Sequence, residues 1–434
     1  MQKPFFRNVM TIALPVAFQS LVQSSFSVVD QVMIGQLGET AITAVGFGGK
    51  FLSLALMVIA GCASAAGILT AQYEGQANRR ALEQSFCQVF LISLAVSGLF
   101  LAVSTILPGT IMGWYSPDTS VISLASGYLQ IFAWSLPFST VTSLYSVVLR
   151  CCGHPVSPLY ASGAGILANT ALNALLIFGF GWGVQGAALA SLLAQILMAV
   201  MTWCLVRRNL PWFGLMPAVA GLKTVIVILL PLVVTEFLWS LGENIYSMVY
   251  GHMGTGASAA MTMTVPLQSM TMGLLSGFSQ AAAILIGQRL GAQDRIGAWQ
   301  DSLSLIRYSL FGSLILAGLL CLGAPFYVRL YSVDESVRQM CQQLILVFAL
   351  FSIVKTQNMV LGGGVLRSGG KTAWVLAIDI TGTWGMGVPV AIWAGQAGFP
   401  VAMVYALLSL EEVLRLAITA GVFASRKWME TIRV

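Results

Sequence analysis

Uncharged apolar runs long enough to cross a bilayer recur from one end of this chain to the other. Residues 51–73, 308–328 and 381–410 contain no Asp, Glu, Lys or Arg. A helix needs about 20 apolar residues to span the hydrocarbon, and only helices or closed barrels satisfy every backbone group there. The runs lack the period-2 alternation of an outer-membrane barrel, so they predict helices. Composition agrees: of 434 residues, 57% are hydrophobic and 8% charged, against roughly a quarter charged in soluble domains. The expectation is an all-α integral membrane protein with about twelve transmembrane helices. Their centres fall near residues 22, 57, 97, 136, 167, 194, 235, 271, 312, 351, 384 and 411.

Orientation follows from where Lys and Arg lie. Lys3, Arg7, Arg79, Arg80, Arg150, Arg207, Arg208, Arg289, Arg295, Arg367, Lys371, Arg426 and Lys427 all fall on one side. The opposite loops hold Glu39, Asp118 and His252, with a mixed set at Arg329, Asp334, Glu335 and Arg338. A multi-pass plasma-membrane protein with both termini cytoplasmic is expected, and MQKPFFRNVM predicts no cleaved leader. The net charge of +6 is scattered over short segments, which argues against a nucleic-acid partner. The seven cysteines are dispersed and predict neither a disulfide framework nor a zinc site.

The chain also repeats itself. At an offset of 216 residues Pro15 matches Pro231, Gly35 matches Gly251, Gly61 matches Gly277, Gln72 matches Gln288, Gly75 matches Gly291 and Arg79 matches Arg295. Tyr115 with Tyr331 and Phe132 with Phe348 keep the register; after a one-residue slip, Leu149-Arg150 matches Leu366-Arg367. Each half holds an even number of spans, so the halves are parallel repeats. The expected domains are an N-terminal six-helix lobe, residues 1–206, a cytoplasmic linker, 207–222, and a C-terminal six-helix lobe, 223–434. Such lobes are pseudo-symmetric around a central cavity, and rocking one against the other gives alternating access.

Polar residues interrupt these spans. In QSLVQSSFSVVDQVMIG, Gln23, Ser27 and Asp30 share one helix face. An intramembrane acid needs a proton, a cation or hydrogen bonds in place of its water, and it marks function by default. Asn169 and Asn173 sit four apart on span 5; their amide oxygens suit Na⁺ or a carboxyl group, and equally suit interhelical hydrogen bonds. The second half carries Glu236, Glu243, Lys355 and Asp379, with an ion pair from Lys355 to Glu236 or Asp379 as one expectation. Glu411 and Arg415, four apart in span 12, read as structural neutralisation, while Lys50 has no partner near it in sequence. Met261 and Met263 supply soft surface suited either to a ligand cavity or to packing. No HExxH, GxSxG or phosphate-binding loop is present, so neither an enzyme nor an ATPase is expected.

These features together resemble the multidrug and toxic compound extrusion (MATE) family. The resemblance covers nearly the whole chain and rests on IALPVAFQSLVQSSFSVVDQVMIGQLG, LPLVVTEFLWSLGENIYSMVYGHMG, VLRCCGHP, VLRSGGKT and NTALNALLIFGFGWGVQGAALAS. It implies a cation-coupled antiporter, driven by H⁺ or Na⁺, that exports amphipathic cationic organic compounds. It implies that Asp30 is the protonation and cation-binding residue, with Tyr128, Asn169, Asn173 and Ser191 around it. The second helix-5 position is acidic in some relatives and is Asn173 here, one charge fewer. Glu236 stands for a helix-7 carboxylate. Gln23, Glu236, Glu243, Lys355, Asp379, Met261 and Met263 are the cavity candidates. A small drug-like substrate, a surrounding bilayer, a monomeric state and no resident cofactor complete the expectation. The alternatives are a flippase for lipid-linked saccharides, whose cavity should be basic, and a membrane scaffold or receptor without transport.

Overall fold

The computed structural model describes residues 3–37, 39–115, 118–218, 221–329 and 334–432, with side chains except at residues 3, 4, 25–32, 35, 39 and 255. Among the described residues the chain is helical throughout. In the first half α1 (Lys3–Gly35), α2 (Glu39–Gly75) and α3 (Arg79–Ile106) lead to the short α4 (Pro108–Gly113). The helices α5 (Thr119–Phe132), α6 (Ser135–Cys151), α7 (Ser157–Asn173) and α8 (Gly183–Asn209) follow. The second half runs α9 (Leu222–His252), α10 (Thr255–Gly291), α11 (Arg295–Val328), α12 (Glu335–Asn358), α13 (Thr372–Asp379), α14 (Val388–Gln396) and α15 (Val401–Ala424).

Ten of the described helical stretches are long and apolar enough to cross a membrane. The pair α5 and α6, bent by 46°, makes an eleventh. The twelfth is α15, which is long enough but carries Glu411, Glu412 and Arg415 within its span. The sequence-derived centres each fall on one of these twelve.

The repeat is visible in the element ends. Both α2 and α10, and the starts of α3 and α11, are displaced by the sequence offset, residue for residue. The turn before each third helix is built identically: Ala77 (φ 52°) and Gln293 (φ 61°) take the left-handed conformation, unusual for residues with a Cβ. Asn78 and Asp294 then cap the helices, accepting from the amides of Ala81 at 3.1 Å and Gly297 at 2.8 Å, the usual role of Asx residues at an N-cap. Asp118 caps α5 in the same way, and the Ser120 hydroxyl and amide hold its carboxyl below the ordinary range.

Three spans loosen into π-helix, at Ala174–Gly179, Met359–Leu366 and Ile380–Gly387. Such wide turns frequently mark functional positions.

Contact density divides the chain into two compact units. One, here the C-terminal unit, comprises Met1–Ser20, Ala71–Ala77 and Val234–Arg433; the N-terminal unit comprises Leu21–Thr70 and Asn78–Val233. The division passes through α1, α2 and α9. Pro15 and Pro231, at matching places inside α1 and α9, lie a few residues before the two crossings. Proline removes a hydrogen bond and bends a helix.

Close backbone approach seats the exchanged helix halves. Within the N-terminal unit a Cβ on Gly61 of α2 would lie 3.0 Å from the Val233 Cα of α9. Within the C-terminal unit a Cβ on the matching Gly277 of α10 would strike the Ala13 carbonyl of α1. Small residues at helix crossings let backbones meet in this way in membranes. Gly277→Val is expected to cost about 1–3 kcal/mol through overpacking. Thermal unfolding in detergent checks this, with Gly98→Val, where nothing lies within 4 Å, as the unaffected control.

Candidate functional site

In the N-terminal unit the polar side chains of α7 and α8 form a ladder. Asn173, fully buried, donates its amide to Asn169 Oδ1 at 3.3 Å, and Asn169 donates to Ser191 Oγ on α8 at 3.2 Å. One turn along α8, Gln195 donates to Thr142 Oγ1 of α6 at 3.2 Å. The spacing of four places each pair on one helix face, and the π-turn begins directly after Asn173. Three sequence-derived residues, Asn169, Asn173 and Ser191, are thus joined.

Tyr128 of α5 is buried against Phe132, ring centroids 5.4 Å apart. Its ring occupies the space that a Cβ on Gly48 of α2 would need. Gln23 is exposed on α1. Asp30 lies on the last turns of α1; its side chain and that of Ser27 are outside the described residues.

The C-terminal unit holds an ionic network. Arg415 of α15 is buried, and its guanidinium lies 3.6 Å from Glu411, 3.7 Å from Glu412 and 3.9 Å from Asp379. These separations exceed the 2.7–2.9 Å of a charge-assisted hydrogen bond, so the cation is shared among three acids. Closer partners are neutral. Tyr246 of α9 donates to Glu411 Oε2 at 2.6 Å, Asn358 of α12 donates to Glu412 Oε2 at 2.8 Å, and Arg415 donates to Thr383 Oγ1.

Glycines of the adjacent π-turn make the room. A Cβ on Gly382 would strike the Arg415 side chain, and one on Gly387 would strike Glu411 and Tyr246 Oη. Asp379 and Thr383 also line a narrow crevice with Thr235, Trp239 and Trp384.

Glu236 pairs with Arg367 at 3.2 Å, and Asp379 with Arg415, in place of the expected pairing with Lys355. Lys355 makes no ion pair within 4 Å among the described residues, but Tyr405, Glu412, Glu243 and Glu411 are its electrostatic neighbours. Glu411 and Arg415 face each other as their spacing required. Glu243 is exposed on α9, and Lys50 is exposed on α2. Met263 is buried in the core of this unit beside Ala324 and Val328, with Met261 packed against that core. No group of three or more His, Cys, Asp or Glu fit to hold a metal ion occurs among the described residues.

Sequence reasoning missed Arg367, Tyr246, Asn358 and Thr383 as members of this network. The available signal was the glycine run ITGTWGMG, whose missing side chains are where the charges of α15 fit.

Two matched six-helix repeats, each with polar groups inside its spans, define a polytopic membrane protein of the transporter type. The MatE family model matches residues 15–175 and 231–393, one stretch per repeat, and the chain belongs to this family of MATE transporters. The Multidrug resistance protein MdtK of Yersinia enterocolitica is 26% identical over 91% of this chain and 89% of its own. The Vibrio cholerae MATE transporter VcmN in its bent form superposes with a TM-score of 0.89 at 19% identity, covering 99% of each chain. An outward-facing multidrug resistance MATE transporter of the MOP superfamily gives 0.87 at 17%, covering 97% of this chain and 96% of that one.

Tyr246→Phe removes one hydrogen bond to a buried carboxylate and is expected to cost about 1.5–3 kcal/mol. Arg415→Met leaves three acids without their shared cation and should cost about 3–5 kcal/mol. Thermal unfolding of the purified variants ranks the two.

Proposed function

We propose that the protein is a cation-coupled antiporter that exports amphipathic, cationic organic compounds across the plasma membrane by alternating access. In this reading the N-terminal lobe, residues 1–206, and the C-terminal lobe, 223–434, rock about the linker 207–222. Asp30 takes up and releases H⁺ or Na⁺.

The Asn173–Asn169–Ser191 ladder is the observation that carries the reading. It lies on the helices of the repeat that contains Asp30, and its amide and hydroxyl oxygens are hard donors suited to Na⁺. The same groups hydrogen-bond a protonated carboxyl. A single carboxylate with neutral oxygens accommodates either ion. A ligand drives export by binding better to the state from which the ion has left, because only differential affinity shifts such an equilibrium.

Substrate polarity follows from charge. Around the ionic network of α15, Glu236, Glu243, Asp379, Glu411 and Glu412 outnumber Arg367, Arg415 and Lys355. This balance favours cations and disfavours the pyrophosphate of a lipid-linked saccharide. The multidrug resistance name of the Yersinia relative supports substrates of varied structure. The basic residues gathered on one side support cytoplasmic termini, and we take the transporter to work as a monomer without a resident cofactor.

Asp30→Asn is expected to abolish ethidium efflux from everted vesicles while the protein still inserts and purifies as a single species. Efflux equal to that of the unsubstituted protein would sink the mechanism. Imposing a sodium gradient and then a proton gradient on the unsubstituted protein identifies the coupling ion.

A further inference from the structure

We propose that the carboxy-terminal segment, residues 428–432, is a latch that fastens the last turn of α2 to the C-terminal unit and releases it during transport. The proposal rests on the alternating-access reading above.

Most of α2 belongs to the N-terminal unit, but Ala71–Ala77 is counted with the C-terminal one. Two glutamines one turn apart in this piece grip the chain end. Gln72, fully buried, donates its amide to the carbonyls of Ser368 at 2.6 Å and Glu430 at 3.2 Å. Its Oε1 accepts from the Ile432 amide at 2.6 Å. Gln76 donates to the Ile432 carbonyl at 2.9 Å. The tail thus meets α2 as a non-helical segment whose backbone groups are read by side-chain amides. A buried amide with its partners removed carries the full cost of its desolvation, so the bonds hold as a set.

The rest of the tail is fixed to the unit's own helices. Thr431 donates to the Leu290 carbonyl on the last turn of α10 at 2.7 Å, and Lys371 pairs with Glu430 at 2.7 Å. Trp428, fully buried, stacks on Phe423 with centroids 5.7 Å apart, and Phe423 stacks on Trp299 at 4.5 Å. The Trp428 carbonyl lies where a Cβ on Gly369 would be, a position only glycine leaves open.

The repeat supplies the control. Residues 210–213 turn as residues 426–429 do, with the Phe213 amide on the Leu210 carbonyl at 3.0 Å and the Met429 amide on the Arg426 carbonyl at 3.2 Å. The first-repeat tail then stays on its own unit. Phe213 packs on Phe86 and Tyr145, the Gly214 amide donates to Glu83 at 2.8 Å, and Gln88 donates to the Ala218 carbonyl at 2.8 Å. Covering its own helices would require of the second tail no more than the Trp428 stack. The Glu430 carbonyl and both backbone groups of Ile432 are instead bonded to Gln72 and Gln76 of the first repeat. That contact joins a piece of α2 to the unit from which the remainder of α2 must move. The Lys371–Glu430 pair is partly exposed, and a segment whose hydrogen bonds and ion pairs reach solvent opens at a lower cost than a buried core segment.

Hydrogen exchange read by mass spectrometry on the full-length protein in nanodiscs tests the latch. In the unsubstituted protein, peptides covering residues 71–77 and 428–432 should exchange together, about tenfold faster with ethidium bound than without, while residues 341–349 stay unchanged. Gln72→Leu should raise exchange of both peptides about tenfold in the absence of ethidium. Lys371→Glu should loosen the tail more mildly, and adding Glu430→Lys should restore it, which separates a released latch from a misfolded chain. Exchange that is the same with and without ethidium, in protein that exports ethidium from vesicles, overturns the latch and leaves the transport reading standing. So does a Gln72→Leu effect confined to one of the two peptides. An unsubstituted protein that exports nothing overturns the transport reading itself.

Discussion

Where α2 and α10 end, two backbones approach more closely than any side chain permits. A Cβ on Gly75 would strike the carbonyl of Gln288, and a Cβ on Gly291 would strike that of Gln72. Residues 75 and 291, and 72 and 288, are repeat mates, so each helix offers the other the same surface. In hydrocarbon there is no hydrophobic gain in bringing helices together, and packing of this closeness is what holds them. The crossing fixes Gln72 at the point where its amide faces the chain end. The seating of the tail, and the counting of residues 71–77 with the C-terminal unit, depend on it. The glycine contacts of Gly61 and Gly277 extend the same device to α1 and α9.

The two repeats use one frame to bury different chemistry. On α7 and α8 the N-terminal unit satisfies its polar groups with amides and hydroxyls, which are neutral and exchange hydrogen bonds at small cost. The C-terminal unit buries full charges, and burying an ion is tolerable only when it is paired and hydrogen-bonded. Hence Arg415 stands amid three acids, each acid takes its shortest contact from a neutral donor where one is within reach, and Gly382 and Gly387 surrender their side chains to make space. Tyr246 states the contrast most directly. At the position where the first repeat has Asp30, the second has a phenol that donates to Glu411.

Much of this fold was legible in the sequence because two strong signals act over long stretches. Apolar length gave the spans, and a constant offset gave the repeat down to the helix ends of α2 and α10. The pairs spaced by four were legible for the same reason: Asn169 with Asn173 and Glu411 with Arg415 need only the helical period. What stayed hidden depends on helix-to-helix register, which no local pattern carries. Glu236 meets Arg367, which reads as a topological charge at the end of its span, and Lys355 meets neither of the acids expected for it. Met263, which suits a cavity by chemistry, is packed in a core. The route of α1 and α9 between units was hidden too, since Pro15 and Pro231 announce a bend but not its destination.

The glycines link these hidden parts. Gly277, Gly291, Gly369, Gly382 and Gly387 each lie where another segment occupies the missing side chain's place: a helix backbone, the chain end, a guanidinium, a carboxylate. Their interior positions in helices or at helix ends cost conformational entropy, which close approach offsets. A glycine within an apolar span is therefore a statement about the partner rather than about the helix that carries it. In this chain the partner is backbone where the repeats agree, at Gly75 and Gly291. It is charge where they differ, at Gly382 and Gly387. The symmetric contacts build the frame, and the asymmetric ones mark where the second repeat departed from the first.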